Sequence, residues 1–238
     1  MWKIISAGLF FAVVLALCPA YAAEHSGHTD EAQQINAAVH HILSENAGFM
    51  KKHPSGYFKP FVESQHPKAT VISCSDSRVQ MHALDSSPDN NLFVIRNIGN
   101  QLATAEGSVE YGVHHLHTPI LFIVGHVRCG AIKAASGDYS AESPSIKKEL
   151  DTIKIPKGGD SLESVKLNVN NQVAAAMAKF GAEVKEGKLI IIGSVYDFAD
   201  DLKQGHGKLA IINVNGDTAP DRIKSFTAEN SGKKRKSK

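Results

Sequence analysis

The sequence predicts an α/β fold with a mainly parallel central sheet flanked by helices, and two patterns support this prediction. Short runs of aliphatic and β-branched residues recur along the chain, and most of them are continuously apolar. Strands that are covered on both faces, as in a parallel sheet, have this composition. Segments with helical spacing of apolar residues separate the runs, and such alternation is typical of parallel strands joined by helical crossovers.

Five segments carry the strand pattern: residues 70–73, 92–95, 120–124, 189–192 and 209–212. The connection between the last two is short and contains Gly205 and Gly207, residues that favour a turn. We therefore expect these two strands to form a hairpin, which would make one edge strand antiparallel.

Three longer segments carry the helix pattern. The first covers residues 30–51 and ends ahead of Pro54, because a proline interrupts the helical hydrogen bonds. The second covers residues 105–115. The third covers residues 161–180 and has the clearest apolar stripe, formed by Leu162, Val165, Val169, Val173, Ala176, Met177 and Phe180. Between the second and third helices, residues 137–159 form a polar insertion in which we expect one short helix and a loop.

The N-terminus has the composition of a signal peptide, which we predict over residues 1–22. A basic start is followed by residues 4–17, which are almost all apolar but too few to span a bilayer comfortably. The small residues Ala20 and Ala22 then favour cleavage after Ala22 or Ala23. We therefore expect a periplasmic or secreted protein without stable membrane insertion. The alternative is an uncleaved membrane anchor.

For the remaining chain we predict a single domain over residues 23–231. We expect the basic residues 232–238 to form a disordered tail. The sequence has 26 Lys and Arg residues against 24 Asp and Glu residues. Without Lys3 and the five basic residues of the tail, 20 cations face 24 anions, a net charge of −4. We therefore expect no nucleic-acid partner for the domain.

Two cysteines remain once the leader is set aside, Cys74 and Cys129, and in an exported protein the first alternative is a disulfide. Their sequence context favours a metal instead. Cys74 and His126 each directly follow a predicted strand, and the carboxyl ends of parallel strands meet at one sheet edge. Cys129 lies three residues after His126, where a helix begins. Two thiolates and one imidazole suit zinc, and three protein ligands leave the open position of a catalytic site.

A carboxylate and a guanidinium follow the first cysteine at alternate positions, Asp76 and Arg78. Opposite charges this close favour the ionised carboxylate, and a bidentate pair would fix its orientation. Asp76 could then accept a hydrogen bond from a zinc-bound water or hydroxide, or ligate the metal itself. The alternative is an ordinary ion pair in a turn, which the neighbouring metal ligand makes the weaker interpretation.

These residues resemble the signature motifs of the β-class carbonic anhydrases, and the resemblance extends from about residue 64 to residue 214. The motifs are Cys74-Ser75-Asp76-Ser77-Arg78-Val79, Arg96-Asn97-Ile98-Gly99-Asn100, Gly107-Ser108-Val109-Glu110-Tyr111, and Gly125-His126 with Cys129-Gly130-Ala131. The resemblance implies a carbonic anhydrase, an enzyme that interconverts CO₂ and bicarbonate with one Zn²⁺ per chain. It implies that Cys74, His126 and Cys129 hold the zinc, and that the dyad of Asp76 and Arg78 orients a zinc-bound hydroxide.

The resemblance also implies four parallel strands with an antiparallel edge strand, and a homodimer or homotetramer whose N-terminal helix packs on the partner. Gln65, nine residues before the first cysteine, and the backbone near Gly130 would bind oxygens of bicarbonate. One branch of the family places its aspartate on the zinc and has a bicarbonate-binding tryptophan. The only tryptophan here is Trp2, so the resemblance implies the open branch, with Asp76 paired to Arg78.

Two other classes of function remain open from the sequence. One is a non-catalytic protein that binds zinc or an anion on the same scaffold, although retention of Asp76 and Arg78 argues against it. The other is a binding domain stapled by a Cys74–Cys129 disulfide, with no metal.

Overall fold

The computed structural model describes residues 19–159 and 161–230, and the side chains from residue 30 onward. Most of the predicted signal peptide, residues 1–18, and the whole predicted tail, residues 232–238, lie outside the described residues. The chain divides into two compact units, one up to Val62 and one from Glu63. The prediction of a single domain over residues 23–231 stays a prediction.

The described part of the first unit is helical. It contains helix α1, Pro19–Lys52, the single turn α2, Ser55–Phe58, and a 3₁₀ turn, Lys59–Phe61. Helix α1 ends ahead of Pro54, as the sequence predicts. Aromatic rings of Phe49 and His53 stack at the end of α1, with their centroids 4.0 Å apart.

Helix α1 carries an exposed apolar stripe. Its members recur at helical spacing and are each more than half exposed: Ile35, Val39, Ile42, Leu43 and Met50. None of the described α1 residues from 30 to 52 is fully buried. The helix therefore buries little of its apolar face within its own unit, although burial of such a face normally supplies most of a helix's stability.

The second unit contains a five-stranded sheet, and the predicted fold class is confirmed. The strands are β1, Ala69–Cys74; β2, Leu92–Asn97; β3, Ile120–His126; β4, Ile190–Asp197; and β5, Lys208–Val214. Their order is β2-β1-β3-β4-β5. The first three pairs are parallel and only β4–β5 is antiparallel, so the predicted hairpin forms the antiparallel edge.

Helices connect and cover these strands. They are α3, Glu106–Glu110, which continues into a π-helical turn, Tyr111–His115; α4, Gly130–Ser136; α5, Pro144–Leu150; α6, Ser161–Lys185; and α7, Pro220–Asn230. A 3₁₀ turn, Met81–Ala83, lies between β1 and β2. The predicted helix over residues 105–115 is thus partly π-helical, and α5 is the short helix expected in the polar insertion.

The core lies between the sheet and helix α6, whose predicted stripe faces inward. Val169 and Val173 of α6 and Leu121 and Ile191 of the sheet are fully buried. Gly125 lets α6 approach β3, because a Cβ there would lie 2.5 Å from the Val169 side chain. This close packing fixes the end of β3, the strand that ends at His126.

Helix α6 runs five residues beyond the predicted stripe, and Phe180 has non-helical backbone angles (φ −114°, ψ 18°). Helix α7 was not predicted from the sequence, and none of its residues is fully buried. Among the described residues, no helix is both long and apolar enough to cross a membrane.

Candidate metal centre and active site

Three donor side chains meet at the carboxyl edge of the sheet, as the strand-end argument predicts. Cys74 is the last residue of β1, His126 is the last of β3, and Cys129 immediately precedes α4. Because β1 and β3 are hydrogen-bonded neighbours, the fold itself delivers Cys74 and His126 to one place. The two Sγ atoms and an imidazole nitrogen lie within 4.8 Å of one another, and all three residues are buried.

The spacing of the two sulfur atoms fits a metal and not a disulfide. Cys74 Sγ and Cys129 Sγ are 3.9 Å apart, and both cysteines are free. Two Zn–S bonds of about 2.3 Å at a tetrahedral angle would place the sulfur atoms about 3.8 Å apart. A disulfide bond is about 2.05 Å long. The pair is therefore already spaced for joint coordination.

His126 is held in the tautomer that a metal ligand needs. Its Nδ1 lies 3.0 Å from the backbone carbonyl oxygen of Val127, so Nδ1 carries the proton and donates it. The other nitrogen, Nε2, is buried and has no hydrogen-bond partner in the described part of the chain. A buried polar atom without a partner is costly, and a metal ion would satisfy it.

The two thiols influence each other strongly. A hydrogen bond from Cys129 lowers the pKa of Cys74 well below its ordinary value, while the same contact and burial raise the pKa of Cys129. The first proton therefore leaves the pair easily and the second leaves with difficulty. A divalent cation between the sulfur atoms would stabilise both thiolates, since metal binding to cysteine releases protons.

Asp76 and Arg78 form the bidentate pair that the sequence suggests. Arg78 Nε donates to Asp76 Oδ1 at 2.9 Å and Arg78 Nη2 donates to Oδ2 at 2.6 Å. The guanidinium lowers the pKa of Asp76 far below its usual range, against the opposing effect of burial. Asp76 Oδ2 also lies 3.8 Å from His126 Nε2. An ionised carboxylate thus stands beside the donor set.

A family model described as carbonic anhydrase matches residues 69–205, which is more than half of the chain. The chain belongs to the carbonic anhydrase family. The resemblance in its motifs is therefore confirmed, and the family and the Cys–His–Cys donor set together assign zinc as its cofactor.

Individual relatives are also named carbonic anhydrases. A carbonic anhydrase of Synechococcus elongatus is 39% identical over 83 residues, 32% of this chain and 30% of that relative. A carbonic anhydrase of Pseudomonas aeruginosa is 32% identical over 164 residues, 60% of this chain and 74% of that relative. One of the tetrameric β-carbonic anhydrases of Sordaria macrospora shares the fold, with a TM-score of 0.61, 23% identity, and coverage of 74% of this chain and 98% of its own. The match to the Synechococcus relative thus spans less than a third of that protein.

A second arginine, Arg96, supports the site of this carbonic anhydrase family member, although in the sequence it stands out only as part of a motif. Arg96 Nε donates to the Cys74 carbonyl oxygen at 3.1 Å, and Arg96 Nη2 donates to the Asp76 carbonyl oxygen at 2.7 Å. Arg96 lies on β2 and pairs in register with Ser73 on β1. It therefore fixes the backbone turn that carries both a candidate ligand and the carboxylate. The polar end of an otherwise apolar strand is the sequence signal that could have identified it.

The sequence likewise gives no sign that three further residues lie near the dyad: Arg128, Phe198 and Asp201. The Arg78 guanidinium carbon lies 4.7 Å from the centroid of the Phe198 ring, and Arg78 Nη2 also donates to the Arg128 carbonyl oxygen at 3.2 Å. Arg128 in turn pairs with Asp201. These contacts join residues up to 120 positions apart, so no local sequence pattern predicts them.

In the described part of the chain, neither of the two candidate bicarbonate-binding positions forms a hydrogen bond with the donor side chains. Gln65 is exposed in the segment before β1, and its side chain makes no hydrogen bond with the described residues. Gly130 is exposed at the first position of α4, directly after Cys129. Both assignments stay predictions.

Proposed function

We propose that this protein catalyses the reversible hydration of CO₂ to bicarbonate and a proton, at a site formed by Cys74, His126, Cys129, Asp76 and Arg78. One observation carries the proposal. An ionised carboxylate, fixed by two hydrogen bonds from Arg78, lies beside a buried donor triad whose imidazole nitrogen is unpartnered. A metal site with a purely structural role has no need of such a carboxylate, because four protein ligands normally close it.

The two cysteines and His126 would hold Zn²⁺. When bound there, zinc would supply Lewis acidity that lowers the pKa of a coordinated water toward about 7. The chain contributes the geometry of that position. The Val127 carbonyl orients the imidazole through Nδ1, and Arg96 fixes the turn after Cys74.

Asp76 would orient the attacking water. An ionised carboxylate can only accept hydrogen bonds, so the water oxygen must direct one O–H toward Asp76. Its remaining lone pair can then face CO₂, and such orientation is a large part of the rate enhancement in reactions of this kind. Arg78 would hold Asp76 in that role and off the metal, because both carboxylate oxygens already accept from the guanidinium. Gln65 and the Gly130 backbone would bind the product's oxygens.

The test is stopped-flow CO₂ hydration by the zinc-loaded protein and by Asp76→Asn, with zinc content measured on both. We expect Asp76→Asn to keep its zinc and lose most of its activity. Asp221→Asn, an exposed aspartate in the first turn of α7, is the matched control and should stay fully active. A wild-type protein that binds zinc but does not hydrate CO₂ would instead identify a non-catalytic binding protein.

We also propose that the mature protein is exported and forms homo-oligomers. The basic and apolar composition of residues 1–22 supports export. The exposed stripe on α1 and the tetrameric state of the Sordaria macrospora relatives support self-association. N-terminal sequencing of the protein recovered from the periplasm or medium tests export. A start at Ala23 or Glu24 is expected, and an intact Met1 would contradict it.

A further inference from the structure

Arg78 makes more contacts than its pairing with Asp76 requires. Its side chain is 47% exposed, and an exposed arginine normally samples many rotamers. Here the guanidinium is held from three sides. It donates two hydrogen bonds to Asp76 and one to the Arg128 carbonyl, and its central carbon lies over the Phe198 ring.

Phe198 provides the face on which the guanidinium rests. It is the first residue of the β4–β5 loop, residues 198–207, and it is partly buried. A guanidinium 4.7 Å from an aromatic centroid is attracted by the ring and is also limited in its rotation. The ring centroid lies 6.1 Å from that of His126, so the same side chain borders both the dyad and the candidate zinc ligand.

Arg128 connects the dyad to the same loop by a second route. Its backbone is in the left-handed region (φ 54°), which is unusual for a residue with a side chain. In this conformation its carbonyl accepts from Arg78, while its own Nε and Nη2 donate to Asp201 at 3.1 and 2.8 Å. Asp201 belongs to the β4–β5 loop, so the loop supports Arg78 at two points.

The loop itself is anchored firmly enough to act as a support. Asp197, the last residue of β4, is buried and accepts from the backbone N–H groups of Ala199, Asp201 and Leu202. Strand β4 is paired with β3, and the Val127 N–H donates to the Tyr196 carbonyl oxygen at 3.1 Å. The support and the candidate metal site are thus built on neighbouring strands.

We infer that the β4–β5 loop is a positioning element for the reaction, in which Phe198 and Asp201 keep Arg78 in its bidentate pairing with Asp76. Neither residue touches the reacting atoms. This inference rests on the proposed function for its kinetic consequence, but the pairing it describes can be observed without any activity.

The first test compares Phe198→Leu with Phe198→Tyr, and with Phe226→Leu on α7 as the matched control. Loss of the aromatic face should lower kcat about threefold to tenfold, in line with a cation–π contact, and leave KM and zinc content unchanged. Phe198→Tyr keeps the face and should stay within about twofold of the wild type. Phe226→Leu removes the same atoms away from the site and should change nothing. Equal losses in the leucine and tyrosine variants would overturn the inference.

The second test is independent of catalysis. A crystal structure of Phe198→Leu should show Arg78 released from at least one of its two bonds to Asp76. If both bonds persist with full occupancy, the inference is wrong, even if kcat has fallen. Asp201→Asn tests the other route, through the ion pair with Arg128. It replaces Phe198→Leu if that variant does not fold. It should weaken the same two bonds, and an unchanged pairing in that variant has the same meaning.

A third measurement separates positioning from general destabilisation. In the Arg78→Lys background, Phe198→Leu should cause little further loss of kcat, because the planar group that it orients is already gone. If Phe198→Leu lowers kcat by the same factor in the Arg78→Lys background as in the wild type, the inference is wrong. An inactive, zinc-loaded wild-type protein would refute the proposed function alone, since the crystal structures would still decide the pairing.

Discussion

At the scale of single residues, a few hydrogen bonds to the backbone determine what the site can do. The Val127 carbonyl selects one tautomer of His126 and leaves the Nε2 lone pair available to bind a metal. The Arg78 side chain donates through Nε and Nη2 to Asp76 and through Nη2 to the Arg128 carbonyl, so three hydrogen bonds fix its orientation. A lysine could not replace it, because an ammonium group cannot make two parallel bonds to one carboxylate.

The spacing of the two thiols leads to a prediction about metal removal. Chelation of the zinc under air should allow Cys74 and Cys129 to lose two protons and two electrons to O₂ and form a disulfide. Their sulfur atoms start only 3.9 Å apart, so a small movement is sufficient. We expect activity to return after zinc is added with a reductant, and not with zinc alone. Thiol titration of the denatured protein before and after chelation measures the bond.

The control for this experiment is chelation under argon, where both thiols should remain free and zinc alone should restore activity. Full recovery with zinc alone after chelation in air would contradict the prediction. An unchanged number of free thiols after chelation in air would contradict it as well.

At the scale of elements, the strand ends could be predicted from sequence because their cause is local. Runs of aliphatic and β-branched residues identify β1 and β3, and the last residue of each strand, Cys74 or His126, is a candidate ligand. The support around Arg78 could not be predicted in this way. In the sequence, Phe198 is simply an apolar residue that follows β4. Its ring lies against Arg78 because β1, β3 and β4 are neighbours in the folded sheet.

The β4–β5 loop also leads to a prediction about stability and pH. Burial alone would raise the pKa of Asp197, but N–H groups of Leu202, Asp201, Ala199 and Asp200 outweigh it and hold the pKa below its ordinary value. A depressed pKa contributes stability above the ordinary pKa, and this contribution is lost as the pH falls through the folded-state value. Asp197→Asn should therefore lower the free energy of unfolding by about 1–3 kcal/mol at pH 7.

Urea unfolding of wild type and variant at pH 7 and at progressively lower pH measures this effect, provided both remain folded. The difference between them should shrink as the pH falls below about 4, where an unfolded aspartate becomes protonated. Asp138→Asn, at an exposed aspartate that bonds the Ser140 N–H, is the control and should cost less. A difference that grows on acidification would show that ionised Asp197 does not stabilise the loop.

At the scale of the whole molecule, the apolar stripe on α1 stays exposed in a single copy of the chain. Ile35, Val39, Ile42, Leu43 and Met50 are each 51–66% exposed, although α1 is the longest helix in the described part of the chain. Exposed apolar surfaces of this extent usually mark interaction sites. A second copy of this chain is the partner that fits the proposed homo-oligomer.

The final prediction therefore concerns oligomeric state. Val39→Glu combined with Ile42→Glu should shift the protein to a smaller species in analytical ultracentrifugation, because two charges would have to be buried in the contact. Ala37→Glu combined with Ser44→Glu places the same charges on the opposite face of α1, where the residues are also exposed, and should leave the mass unchanged. If both pairs of substitutions give the wild-type mass, α1 does not form the contact between copies. A monomeric wild-type protein would exclude the proposed oligomer altogether.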